Sequence, residues 1–156
     1  MPTSDLSFCR TREFIVVLDD SERENERDLI IAALDITAEQ MAFMIRHTSG
    51  LICVPALPVP CATLEVSQMV VNSEDPKGTA YTLPIDANHP NTMTGISAQE
   101  RALTCRALGK KNVKKEDFRR PGYIFPLEAR KGGVRESALD ILRRQSSSAC
   151  WRACNR

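Results

Sequence analysis

The stretch DDSERENERD, residues 19–28, restricts the fold more than any other part of the chain. Six of its ten residues are carboxylates and two are arginines. FIVVL (14–18) precedes it and LIIAA (29–33) follows it. Both apolar runs, the first rich in β-branched residues, read as buried strands. Two like charges about 4 Å apart repel by roughly 1 kcal/mol in water and about 4 kcal/mol at an effective dielectric of ~20. A loop this acidic, pinned at both ends, must be fully solvated, paired with Arg23 and Arg27, or built around a cation. Solvation is the usual fate of a charge run. The position between two strands adds weight to a cation. Glu24, Glu26 and Asp28 alternate, so in an extended chain they project from one face. Hard carboxylate oxygens suit Mg²⁺, and an adjacent arginine suits a phosphate or carboxylate.

Elements of both kinds follow the loop. TAEQ at 37–40 is a capping box that opens a helix over AEQMAFMIRH, with Met41, Met44 and Ile45 on its inner face. SGLICVP (49–55) reads as a turn and a short strand, and Pro55, Pro58 and Pro60 impose an irregular connection. QMVVN (68–72) and TAYTLPI (79–85) are strand candidates separated by the turn DPKG (75–78). A second capping box, Ser97 with Glu100, opens a helix over SAQERALTCRAL (97–108). KKNVKKEDFRRPG (110–122) reads as a basic, solvated connection and YIFPLEA (123–129) as a last strand. Interleaved strands and helices place the chain among α/β or α+β folds with a mixed sheet flanked by helices. The 156 residues are expected to form one domain.

Composition excludes some function classes. A net charge of +1 argues against a broad electrostatic grip on nucleic acid or an anionic membrane. No apolar run approaches the ~20 residues of a membrane span. The start, MPTSDLSFCRTREF, lacks an apolar signal core, so a cytoplasmic protein is expected. Cys9, Cys53, Cys61, Cys105, Cys150 and Cys154 form no C-x-x-C pair and read as thiols, Cys53 as a small core residue. Cys150 and Cys154 would face each other if the tail were helical. His47 reads as structural, His89 as exposed and Tyr81 as packing.

LDDSERENERDLIIAA resembles the signature of 3,4-dihydroxy-2-butanone 4-phosphate synthase, a lyase of riboflavin biosynthesis. QMAFMIRHTSGLICVP, PKGTAYTLPIDA, TGISAQERALTCRAL and FRRPGYIFPLEARKGGV resemble successive segments of the same family, in order. These matches run from Glu13 to Val134, and Glu136 to Leu142 extends them; 145–156 form a divergent tail. The resemblance implies an α+β fold, incomplete at its C-terminal end. It also implies conversion of D-ribulose 5-phosphate to L-3,4-dihydroxybutan-2-one 4-phosphate and formate, with Mg²⁺ (Mn²⁺ as an alternative), in a homodimer. By position it assigns Glu24 to the metal, and Arg23, Glu24, Asp28 and Thr94 to the substrate. Glu26 and Asp28 become the proton-transfer groups, and Asp19 and Asp20 match the acidic pair before them.

Three departures from the family pattern stand in the chain. Arg27 replaces the Gly of R-E-N-E-G-D, a strained exchange if that Gly has φ > 0. Tyr123 replaces the His of R-P-G-H-V-F-P, and a phenol with pKa near 10 cannot act as a base at neutral pH in place of an imidazole near 6.5. After Gly133 the chain reads GGVRESALDILRR, without the R-x-G-H-T-E segment that supplies the family's second metal ligand. These departures define a second reading: a non-catalytic homologue or a fragment lacking part of the active site, either inert or a partner of an intact subunit.

Overall fold

The computed structural model describes residues 13–18, 27–56, 63–76, 78–110 and 112–128, and the backbone of 149–150 and 153–154. In chain order the elements are β1 (Ile15–Leu18), β2 (Arg27–Ala32), a 3₁₀ turn (Ala33–Asp35), α1 (Ala38–His47), β3 (Ile52–Ala56), β4 (Ile85–Ala87), α2 (Ala98–Leu108), a second 3₁₀ turn (Lys115–Asp117) and β5 (Phe118–Glu128). Two short strands, β6 (Ala149–Cys150) and β7 (Ala153–Cys154), complete the order.

The two apolar runs around the acidic stretch pair with each other, but the first is not the buried strand expected: Val16 is 57% exposed, so one face of β1 is left uncovered. β1 and β2 are antiparallel, with Val17 opposite Asp28 and Leu18 opposite Arg27. Leu29, Ile30 and Ile31 are all buried, so β2 is covered on both faces. The tail adds to this sheet: β6 pairs with Ile31 and Ala32, and β7 with Arg27 and Asp28. Cys150 and Cys154 lie in these two short strands, not in a helix that would face them toward each other.

The second sheet has the order β3-β5-β4. β5 runs parallel to β3 and antiparallel to β4, so the fold is α+β with mixed strand directions. Both capping boxes form. Thr37 Oγ1 accepts from the Gln40 amide, and Ser97 Oγ accepts from the Glu100 amide. Met41 and Met44 of α1, Ala102 and Cys105 of α2, and Leu29, Ile31, Ile52, Val54 and Ile124 of the strands form one buried cluster, against which Ile45 packs. Leu64, Val66, Ile85 and Phe118 form a smaller one.

Three expected elements differ. QMVVN is no strand: Val71 is 86% exposed, and Gln68 alone of that run bridges to Thr82. An apolar run with nothing to cover either face gains nothing from strand pairing. TAYTLPI contributes bridges at Tyr81 and Thr82, and the ladder strand starts only at Ile85. The basic connection ends at Asp117, because FRRPG belongs to β5. There the β4–β5 register jumps. Ile85 pairs with Ile124 while Asp86 pairs with Arg119, so Arg120 to Tyr123 have no ladder partner on β4. Pro121, preceded by a cis peptide bond, sits in this excursion, where its missing N–H costs no ladder bond.

Candidate functional site

Of the residues expected to act, Asp28 and Thr94 are described; Asp19, Asp20, Arg23, Glu24 and Glu26 lie outside the described residues. Asp28 is half-buried near the start of β2, held on both sides by ladder partners, Val17 and Ala153. The neighbouring Arg27 is exposed and in regular strand conformation, and among the described residues Glu65 is the non-glycine residue with positive φ. The exchange of Gly for Arg at 27 therefore carries no left-handed strain in this fold.

Thr94 is exposed on the loop between β4 and α2. Its hydroxyl accepts from the Ile96 amide at 3.5 Å. The loop is fastened from several directions. Glu100, in the first turn of α2, accepts from the Met93 amide (2.5 Å), the Ser97 amide (3.1 Å) and the Ser97 hydroxyl (2.8 Å). The Ser97 hydroxyl, the Met93 amide and then the Ser97 and Gly95 amides hold the Glu100 carboxyl down to a pKa of about 2, against the opposing effect of burial. Thr94 is thus bracketed by two residues whose N–H groups point at one carboxylate. Arg119 of β5 donates to the Met93 carbonyl at 2.6 Å, and Arg101 of α2 donates to the Ile96 carbonyl at 2.9 Å. Arg101 also reaches the Gly50 carbonyl at 3.0 Å, tying the loop to the turn before β3.

Gly95 has φ +81°, which a side chain rarely adopts, and a Cβ there would fall on the Asp86 carboxylate. Asp86 is 2% exposed, between buried Ile85 and Ala87. Its Oδ1 accepts from the Tyr123 amide at 2.9 Å. The Tyr123 ring lies on the excursion with the Arg101 guanidinium 5.4 Å from its centroid, within cation–π range. Gly122 packs so tightly on the Ile85 backbone that a Cβ has no room.

Asp86, Arg101 and Arg119 were absent from the sequence-based candidates, and Glu100 entered only as a cap. A carboxylate inside the apolar run PIDA is a signal that could have found Asp86. His89 is exposed and Tyr81 packs edge-on against Phe125, both as expected. His47 is exposed and lies 4.5 Å from Phe43, ring to ring. Among the described residues no group of three His, Cys, Asp or Glu side chains could hold a metal ion. The buried Asp86 and Glu100 carboxylates are engaged by backbone amides. By themselves the described residues do not fit a metal.

The family model for 3,4-dihydroxy-2-butanone 4-phosphate synthase matches residues 6–139, which include the acidic stretch, Thr94 and Tyr123. The chain belongs to this family. The synthase of Pyricularia oryzae is 59% identical over 123 residues, covering 79% of this chain and 53% of the relative. That of Schizosaccharomyces pombe is 51% identical over 128 residues, covering 81% and 62%. The chain therefore spans between half and two thirds of the length of these synthases. A crystal structure of a 3,4-dihydroxy-2-butanone 4-phosphate synthase in complex with two magnesium ions superposes with a TM-score of 0.90 at 48% identity, covering 96% of this chain and 73% of that one. The α+β synthase scaffold is thus shared well beyond the acidic signature.

Proposed function

We propose that the protein is a lyase that converts D-ribulose 5-phosphate to L-3,4-dihydroxybutan-2-one 4-phosphate and formate in riboflavin biosynthesis. The observation that carries this reading is the family match over residues 6–139, which takes in both the acidic stretch and the fastened Thr94 loop. The two products together contain all the atoms of the substrate, so the reaction consumes no oxidant or reductant.

In this reading Arg23 holds the anionic end of the substrate through its guanidinium fork. Glu26 and Asp28 move protons among the substrate carbons. The Asp28 backbone, fixed in β2, orients its carboxylate. The Thr94 hydroxyl hydrogen-bonds the substrate, on a loop whose backbone cannot drift because Glu100, Arg101 and Arg119 hold it. Preorganised placement of this kind lowers the barrier without any new contact. Mg²⁺, or Mn²⁺ in its place, would be held by Glu24 and would supply charge stabilisation for vicinal oxygens. The working unit is a cytoplasmic homodimer of single-domain chains.

The test is formate release from D-ribulose 5-phosphate by the purified protein with Mg²⁺, against a metal-free control. Mg²⁺-dependent formate supports the lyase. A folded sample that releases none favours the non-catalytic homologue instead.

A further inference from the structure

Asp86 carries a charge where the fold offers it almost no water. It lies in β4 with 2% of its surface exposed, flanked by buried Ile85 and Ala87. An apolar residue of similar size would avoid the desolvation penalty of a buried carboxylate. Burial pushes its pKa up; the Tyr123 amide and the Arg119 charge pull the other way, Glu100 adds to the rise and Arg101 opposes it. Among the described residues, Arg119 on β5 and Arg101 and Glu100 on α2 are the charged groups that act on it. Its carboxylate is an acceptor for neighbouring backbone.

Two segments use it. Oδ1 takes the Tyr123 N–H, which the register jump leaves without a ladder partner on β4. The carboxylate also fills the space where Gly95 lacks a side chain, one residue from Thr94. We propose that Asp86 is a positioning residue that joins the Thr94 loop to the Arg120–Tyr123 excursion, so that both present their exposed side chains to substrate in fixed register. The join stands on the geometry of residues 85–95 and 119–124; its effect on turnover rests on the lyase reading.

The experiment follows amide shifts of the ¹⁵N-labelled full chain against pH. Tyr123 and Gly95 should show one shared transition above the ordinary aspartate value of 3.8. Asp86→Asn keeps an acceptor oxygen and should abolish that transition at both positions. Glu100, held near a pKa of 2, titrates well below it and does not confuse the assignment. A transition seen at Tyr123 but missing at Gly95, or one that survives in Asp86→Asn, overturns the proposal. Where formate is released, Asp86→Ala should raise KM about tenfold with kcat changed less than about threefold, and Asp86→Asn should restore KM. Unchanged KM in Asp86→Ala also overturns it. A wild-type protein that releases no formate defeats the lyase reading and leaves the shared transition to decide the join.

Discussion

The Thr104 hydroxyl accepts from the Ala87 amide at 2.8 Å and lies 3.1 Å from the Glu100 carbonyl, to which it donates. One fully buried side chain thus ties the end of β4 to the first turns of α2. The loop that carries Thr94 begins and ends on these two elements. Thr104→Val keeps the shape and removes both bonds, leaving a buried N–H unpaired. It should destabilise the protein by about 1–3 kcal/mol. Denaturant unfolding that finds no loss would mean that water or another acceptor reaches Ala87.

Glu100 gives the fold a defined acid sensitivity. Its folded pKa of about 2 lies below the ordinary value of 4.5, so the folded state binds this proton less tightly than the unfolded one. The stabilisation is fully present above pH 4.5 and is lost as pH falls toward 2. Glu100→Gln should be less stable than wild type at neutral pH, and the gap should close across that window. Melting temperatures for both proteins from pH 2 to 7 check this; a constant gap would be the wrong result.

Gly95 and Gly50 both have positive φ, at +81° and +78°, with different surroundings. Around Gly50 a Cβ would find space, its closest neighbour being the Ile45 carbonyl at 4.0 Å. Gly50→Ala should cost only the backbone strain, about 1–2 kcal/mol. Gly95→Ala adds a collision with Asp86 and should cost more. Equal unfolding free energies for the two variants would contradict this.

Activity, if the lyase reading holds, depends on the acidic stretch. Glu26→Gln should lower kcat by about 10²–10⁴-fold, the range for losing a proton-transfer group. Glu24→Gln should raise the Mg²⁺ concentration needed for half-maximal formate release. Steady-state assays over a Mg²⁺ series check both, and a Glu24→Gln protein with unaltered metal dependence would remove Glu24 as the ligand.

Tyr123→His would place an imidazole beside the Arg101 guanidinium. The cation disfavours the protonated ring, so its pKa should fall below the ordinary ~6.5. The ring would then be neutral at pH 7 and able to accept a proton. Formate release should rise relative to wild type, measured across pH 5–8.

Strand and helix positions were legible wherever apolar runs found cover. LIIAA and the two capping boxes carry their signals locally and the structure keeps them, whereas FIVVL forms its strand with Val16 exposed. QMVVN carries the same β-branched signal and stays exposed, since no sequence pattern says whether a covering surface exists. RRPG read as the end of a basic, solvated connection, yet a register jump lets β5 pass through it. The site divides in the same way. Glu24, Glu26 and Asp28 stand in one short motif, whereas Asp86, Arg101, Arg119 and Tyr123 meet only through long-range packing. Glu100 was visible as a cap, but its grip on Met93 depends on the path of the loop.

The excursion at Arg120–Tyr123 has a consequence for how such a protein can change. Pro121 and Tyr123 are exposed, and no β4 residue pairs with any of the four. Replacing Tyr123 therefore leaves both flanking ladders, Phe118–Arg119 with β4 and Ile124–Glu128 with β3, where they are. A substitution at 123 can change the chemistry offered there without disturbing either ladder, and a phenol stands there within an otherwise recognisable synthase.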